Sequence, residues 1–185
     1  PISAIESIQK HQATIVTGPP TMWAAWAGLP EAPEHAFDSV RLAVSGAARL
    51  PDEVARTMQR RYDVHLTEGY GLTEASPVVT SAVGTDAPVG SVGVPVPGLE
   101  LRLVDEDGDD VLIGDSGELW VRGPNVFAGY WNDEDATARA INPEGWLVTG
   151  DVATVDGGGY LYLVDRVKDL IIVSGVNVYP AEVEE

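Results

Sequence analysis

The sequence contains no cysteine and only two lysines, Lys10 and Lys168. Without cysteine there are no disulfides, thiolate nucleophiles or thiolate metal sites, so a secreted disulfide scaffold is excluded. A reducing, cytoplasmic location fits that absence. Neither lysine follows the glycine spacing of a phosphate-binding P-loop, so that motif is excluded within the chain. Histidine is scarce as well: His11, His35 and His65 stand 24 and 30 residues apart, which matches no zinc-binding spacing. Positive charge is in deficit, with 11 Lys and Arg against 29 Asp and Glu and a formal net charge of −18. A nucleic-acid partner needs the opposite sign to neutralise phosphate, and an anionic membrane surface is disfavoured for the same reason. Apolar runs such as Leu170 to Val173 fall far short of a bilayer span.

Against these absences, 44% of the 185 residues are hydrophobic, enough for a substantial core in one large domain or one and a half ordinary ones. The chain starts at Pro1 and ends at Glu184-Glu185, from which we expect a central piece of a longer protein. The acidity is uneven, −5 over residues 1–100 and −13 over 101–185, which suggests regions of different character.

Val40, Leu42 and Val44 alternate with Arg41 and Ala43, the period of a strand that ends at Ser45-Gly46-Ala47-Ala48. A helix follows. Pro51 suits its first turn, Asp52 and Glu53 its positive end, Arg60 and Arg61 its negative end, and Val54, Met58 and Tyr62 form its apolar face. A second strand, Val64 to Leu66, is expected to break at the glycine-rich segment from Thr67 to Glu74. Strand, helix and strand in this order predict a βαβ unit with parallel strands, whose loops at the carboxyl ends line one crevice. Beyond residue 85 short alternating stretches predict strands around Leu99 to Leu103, Glu118 to Arg122, Trp146 to Thr149 and Tyr160 to Val164, with a short helix from Asp133 to Ala140. The fold class expected is α/β with a β-rich second part: a parallel βαβ segment, a distorted β-barrel, and the start of a small C-terminal α+β domain. The expected boundaries are 1–85, 86–165 and 166–185. Leu170 to Val173 and Val176 to Tyr179 predict a hairpin, and Pro180 could open a helix.

Three segments could carry chemistry. In Gly69-Tyr70-Gly71-Leu72-Thr73-Glu74, glycines permit close approach of backbone to a ligand, the Tyr face can stack on a flat base, and Thr and Glu offer hard oxygen ligands for Mg²⁺. On spacing alone a glycine-rich turn with a packed Tyr is favoured. Thr149-Gly150-Asp151 offers a carboxylate after an apolar strand, able to accept ribose hydroxyls, although an Asp in a turn is the commoner arrangement. Asp165-Arg166-Val167-Lys168-Asp169 is a dense mixed-charge cluster that reads first as a solvated patch. Asp105 to Asp110 reads as a solvated turn, because no glutamate completes a Ca²⁺ loop.

Taken in order, Glu68 to Pro77, Gly117 to Gly123 with Gly129-Tyr130-Trp131, Gly145 to Asp151, and Asp165 to Ile172 with Gly175 to Pro180 resemble the motifs of the adenylate-forming superfamily. That group includes acyl-CoA synthetases, peptide-synthetase adenylation domains and luciferases. The resemblance covers nearly the whole chain and looks closest to bacterial fatty-acyl-CoA synthetases. It implies that Tyr70 stacks on adenine with Gly46, Ala47, Ala48, Gly69 and Gly71 beside it, that Thr73 contacts phosphate, and that Glu74 holds Mg²⁺. It implies further that Asp151 grips the ribose with help from Arg166, that Pro77 and Val78 line an acyl pocket, that Lys168 is a domain hinge, and that Gly175 borders the tunnel for CoA. The implied reaction joins a carboxylate, with a fatty acid as the favoured substrate, to ATP to give acyl-AMP and pyrophosphate, then transfers the acyl group to CoA. An aryl-CoA ligase, a peptide-synthetase adenylation domain and a catalytically inert structural fragment are the alternatives. The family's Ser/Thr/Gly-rich phosphate loop and its C-terminal lysine have no counterpart in the 185 residues, so the chain alone is expected to be inactive.

Overall fold

Three short parallel strands carry the first part of the chain in the structure, a computed structural model that describes residues 2–169, 171–173 and 176–178. They are β1 (Ile15–Gly18), β2 (Leu42–Ser45) and β3 (Leu66–Gly71), joined by α2 (Pro20–Ala27) and α3 (Asp52–Tyr62), with α1 (Ile2–His11) ahead of them. Both ladders, β1 with β2 and β2 with β3, are parallel, as the βαβ pattern predicts. Helix α3 buries Met58 and Tyr62 and carries Asp52 and Glu53 in its first turn and Arg60 and Arg61 in its last. Pro51 stands one position earlier than expected: it is the extended cap residue, and the helix begins at Asp52. A chain of aromatic rings, Trp23, Trp26, Phe37 and Tyr62, joins α2 to α3 with successive centroids 5.2, 5.4 and 5.0 Å apart.

The glycine-rich segment departs from expectation. β3 does not break at Thr67 but runs on to Gly71. Its first half is held by β2, and its second half pairs antiparallel with β4 (Val78–Ser81) through Gly69↔Ser81 and Tyr70↔Thr80. The ladder to β4 supplies the extended backbone that Gly69 and Gly71 do not favour by themselves. β4 in turn pairs with the short β5 (Val94–Pro95), so the five-stranded sheet changes from parallel to antiparallel at β3.

The second sheet holds β6 (Glu100–Val104), β7 (Gly117–Arg122), β8 (Leu147–Val155) and β9 (Leu161–Arg166) in sequence order, all antiparallel. The β-rich second part is therefore as expected. The barrel is not closed among the described residues, since edge strands β6 and β9 share no ladder. β8 is longer than the expected Trp146 to Thr149, because β7 and β9 flank it along most of its length. Helix α4 (Glu134–Ala140) is capped by Asp133, whose carboxylate accepts the Ala136 N–H at 2.8 Å. The last pair, β10 (Ile171–Val173) and β11 (Val176–Val178), forms the expected antiparallel hairpin. Ser174, Gly175 and the helix expected after Pro180 lie outside the described residues.

Two apolar clusters underlie these sheets. One gathers residues from Ile5 to Leu66, the other from Tyr70 to Leu161, so β3 passes from the first core into the second. The second sheet is docked by Val92 N–H donating to the Leu161 carbonyl and Leu161 N–H to the Gly93 carbonyl, both at 2.9 Å. That contact sets the end of β3 facing β8 and β9.

Candidate functional site

The crevice forms where β2 and β3 end. After Ser45, Gly46 donates its N–H to the Gly18 carbonyl at 3.3 Å, and Ala47 takes a left-handed conformation with φ 73°. The turn thereby reverses beside Gly69 to Gly71. A cavity of about 460 Å³ opens there, lined by Ala47, Ala48, the Gly69-Tyr70-Gly71 strand end, and Asp151 and Arg166 from the second sheet. The expected meeting of the two carboxyl-terminal loops is therefore found, and the second sheet supplies the opposite wall. Gly46 is adjacent to the cavity without lining it.

Asp151 is not in a turn. It lies inside β8, opposite Arg166 of β9, after Gly150 with φ 73°. Its backbone N–H donates to Thr149 Oγ1 at 3.1 Å, and the Thr149 hydroxyl donates to the Leu119 carbonyl at 2.7 Å. The carboxylate is 7% exposed as a residue and both oxygens are engaged: the Tyr70 hydroxyl donates to Oδ2 at 2.5 Å and Arg166 Nε to Oδ1 at 2.6 Å. Burial, followed by the hydrogen bond to Asp151, pushes the Tyr70 hydroxyl well above the usual tyrosine range, so it stays a donor. A carboxylate has about four lone-pair sites, which leaves Asp151 able to accept two further donors from a ligand. Arg166 is thus a structural partner of the site rather than part of a merely solvated patch.

Glu68 lines both this cavity and a second one of about 530 Å³ between α3 and residues 82–91. It accepts the Leu50 N–H at 3.1 Å. Burial raises its carboxyl above the ordinary value of 4.5, against a smaller lowering by that hydrogen bond and by Arg49. With the folded pKa raised, the folded state holds the proton more tightly. Stability is then lost as pH climbs from about 4.5 through the raised value. Glu68→Gln keeps an acceptor for Leu50 and removes the titration. We therefore expect the wild type to fall in stability relative to Glu68→Gln over that interval, measured by denaturant titration at successive pH values. Parallel pH profiles would refute it.

Thr73, Glu74, Pro77 and Val78 are brought together, but beyond the cavity lining. Thr73 and Glu74 lie on a single 3-10 turn (Thr73–Ala75), and Val78 opens β4. Gly71 is packed against this turn: a Cβ there would lie 1.8 Å from the Pro77 carbonyl oxygen. The segment from Asn125 to Tyr130 closes over it. Asn125 Nδ2 donates to the carbonyls of Ala75 and Val78 at 2.7 and 2.8 Å, Phe127 N–H donates to the Glu74 carbonyl at 2.8 Å, and the Tyr130 hydroxyl donates to Glu74 Oε1 at 2.6 Å. Among the described residues no group of three or more His, Asp or Glu side chains could hold a metal ion. Glu74 therefore fits Mg²⁺ only as a single hard-oxygen ligand, with phosphate and water completing the shell, a usual arrangement for that ion.

Lys168 is exposed in the 3-10 turn Val167–Asp169 that directly follows β9, and Gly175 lies outside the described residues. Sequence reasoning missed Asn125 and Tyr130 as functional groups, while Glu68, expected with the segment to Glu74 to line the crevice, does line it. Gly129-Tyr130-Trp131 is visible as a motif, but nothing in its spacing points to Glu74, 56 residues away; Asn125 carries no local signal.

A family model described as "AMP-binding enzyme" matches residues 2–131. The chain is 45% identical over 182 residues to a long-chain-fatty-acid–CoA ligase of Yersinia pestis, covering 98% of this chain and 32% of the relative. It is 40% identical over 186 residues to a feruloyl-CoA synthase of Amycolatopsis, covering 100% and 38%. Among solved structures, the anthranilate CoA ligase AuaEII in complex with anthranoyl-AMP superposes with a TM-score of 0.89 at 32% identity, covering 98% of this chain and 35% of that one. The chain thus spans about a third of the length of the curated relatives it matches. With the family model matching well over half of its residues, the chain belongs to the AMP-binding enzyme family.

Proposed function

We propose that the protein carrying this chain is an ATP-dependent acid–thiol ligase that forms acyl-AMP and then acyl-CoA, with a fatty acid as substrate. The observation that carries the reading is the Asp151 carboxylate, fixed between the Tyr70 hydroxyl and Arg166 at a cavity lined also by Ala47, Ala48 and the Gly69-Tyr70-Gly71 strand end. In this reading adenine lies against Tyr70 and Gly69, beside the turn from Gly46 to Ala48. The ribose hydroxyls donate to Asp151, and Thr73 faces the phosphates. Glu74 would hold Mg²⁺, whose positive charge would offset the negative charge developing on the phosphates. The turn at Pro77 and Val78 borders the acyl group. We further assign residues 1–85 and 86–165 to two subdomains of a large domain and place the hinge at Lys168, with Gly175 toward CoA. The long-chain-fatty-acid–CoA ligase relatives favour a fatty acid; the feruloyl-CoA synthase favours an aromatic acid as the second reading.

Calorimetry with AMP and pyrophosphate release with a panel of fatty and aromatic acids test the proposal on the full-length protein. Saturable AMP binding and release driven by long-chain acids support it. Release driven by aromatic acids alone moves the assignment to the second reading, and absence of AMP binding leaves a structural module. The 185-residue chain by itself is expected to release no pyrophosphate, since the phosphate loop and C-terminal lysine of the family it resembles have no counterpart in it.

A further inference from the structure

The Glu74 carboxylate and backbone are both gripped by one loop of the second sheet, and that loop is itself held rigidly. Tyr130 N–H donates to Thr137 Oγ1 at 2.9 Å, and the Thr137 hydroxyl donates to the Asp133 carbonyl at 2.8 Å at the start of α4. The Tyr130 ring packs edge-on against Phe127, with centroids 4.9 Å apart, while Phe127 N–H binds the Glu74 carbonyl. Gly129 allows the loop to lie this close to α4: with φ 141°, a Cβ there would meet the Thr137 side chain at 2.6 Å. The phenol thus reaches Glu74 Oε1 from a fixed frame, and the described residues place no hydrogen bond on Oε2. A glutamate on a short, partly exposed turn has otherwise no means of holding one rotamer.

We infer that Tyr130 is a positioning residue for Glu74: its hydroxyl fixes one carboxylate oxygen so that the other is presented to a divalent cation. This rests on the reading of Glu74 as the magnesium ligand. A hydrogen-bonding partner behind a metal ligand typically changes metal affinity more than it changes the chemistry at saturation, which sets the expected signature.

The experiment titrates Mg²⁺ against the full-length protein at fixed ATP in two readouts: ATP binding by calorimetry with no acid present, and pyrophosphate release with a fatty acid. Tyr130→Phe, which keeps the ring and its packing on Phe127, should raise the half-saturating Mg²⁺ concentration roughly 10-fold in both readouts and recover nearly the wild-type rate when Mg²⁺ is saturating. In a Glu74→Ala background the same change should add nothing. An unchanged midpoint in Tyr130→Phe, a rate loss that persists at saturating Mg²⁺, or an additive effect on top of Glu74→Ala would each overturn the positioning role. If Glu74→Ala itself leaves the Mg²⁺ midpoint unmoved, it is the reading of Glu74 that fails.

Discussion

Asp151→Ala is expected to weaken AMP binding at least about 100-fold, because hydrogen bonds to a charged acceptor contribute roughly 1.5–3 kcal/mol each and the ribose offers two hydroxyls. The carboxylate is preorganised for them. Tyr70 and Arg166 hold it from two sides at 2.5 and 2.6 Å, so little freedom remains to be lost when a ligand arrives. The substitution also leaves the buried Tyr70 hydroxyl without its acceptor, at a cost to folding of about 1–3 kcal/mol. Arg166, with its side chain 52% exposed, can turn to water. Asp151→Asn should lie between the two, since it keeps an acceptor but loses the charge. Calorimetry with AMP checks the affinity, with circular dichroism as the control for folding. A folded Asp151→Ala protein that binds AMP within about threefold of wild type, under roughly 0.7 kcal/mol, would remove Asp151 from the ribose site.

The same residue shows what local pattern can and cannot convey. Val40, Leu42 and Val44, and the four-residue spacing of Val54, Met58 and Tyr62, are periodic signals of burial on one face, and β2 and α3 follow them. β3 is not legible in this way. Its glycines argue against a strand, and the ladder to β4 holds them extended. Asp151 reads locally as a turn residue after Gly150, yet β7 and β9 flank that segment and make it the middle of β8. The site depends on such long-range pairings. Tyr70 and Asp151 are 81 residues apart and Tyr130 and Glu74 56 apart, so no window of sequence holds both partners. The motif resemblance singles out Tyr70, Glu74 and Asp151 one by one; the docking of the second sheet onto the end of β3 is what supplies their partners. The −18 charge is equally local in its message. It disfavours a phosphate-rich polymer, while among the described residues the cation in contact with Asp151 comes from the last residue of β9.

Gly71→Ala is expected to lower acyl-adenylate formation about 100-fold, the scale of loss that follows a displacement near 1 Å at a reacting centre. No backbone strain is involved, since Gly71 lies outside the positive-φ positions. The cause is contact: the new methyl carbon would sit 1.8 Å from the Pro77 carbonyl oxygen and 2.8 Å from the Pro77 carbonyl carbon. Both are backbone atoms that cannot rotate away, so β4 and the turn carrying Glu74 must shift together, and Asn125 and Tyr130 lose their aim at that turn. Overpacking of this kind costs about 1–3 kcal/mol of stability. Gly108 provides the contrast. It has φ 85° and open space where a Cβ would go, so Gly108→Ala incurs only the left-handed penalty of roughly 1–2 kcal/mol in a turn remote from the cavity. The two variants should therefore lose similar stability in denaturant titrations while only Gly71→Ala loses adenylation. Equal pyrophosphate-release rates in the two folded variants would show that the approach of Gly71 to Pro77 plays no part in shaping the site.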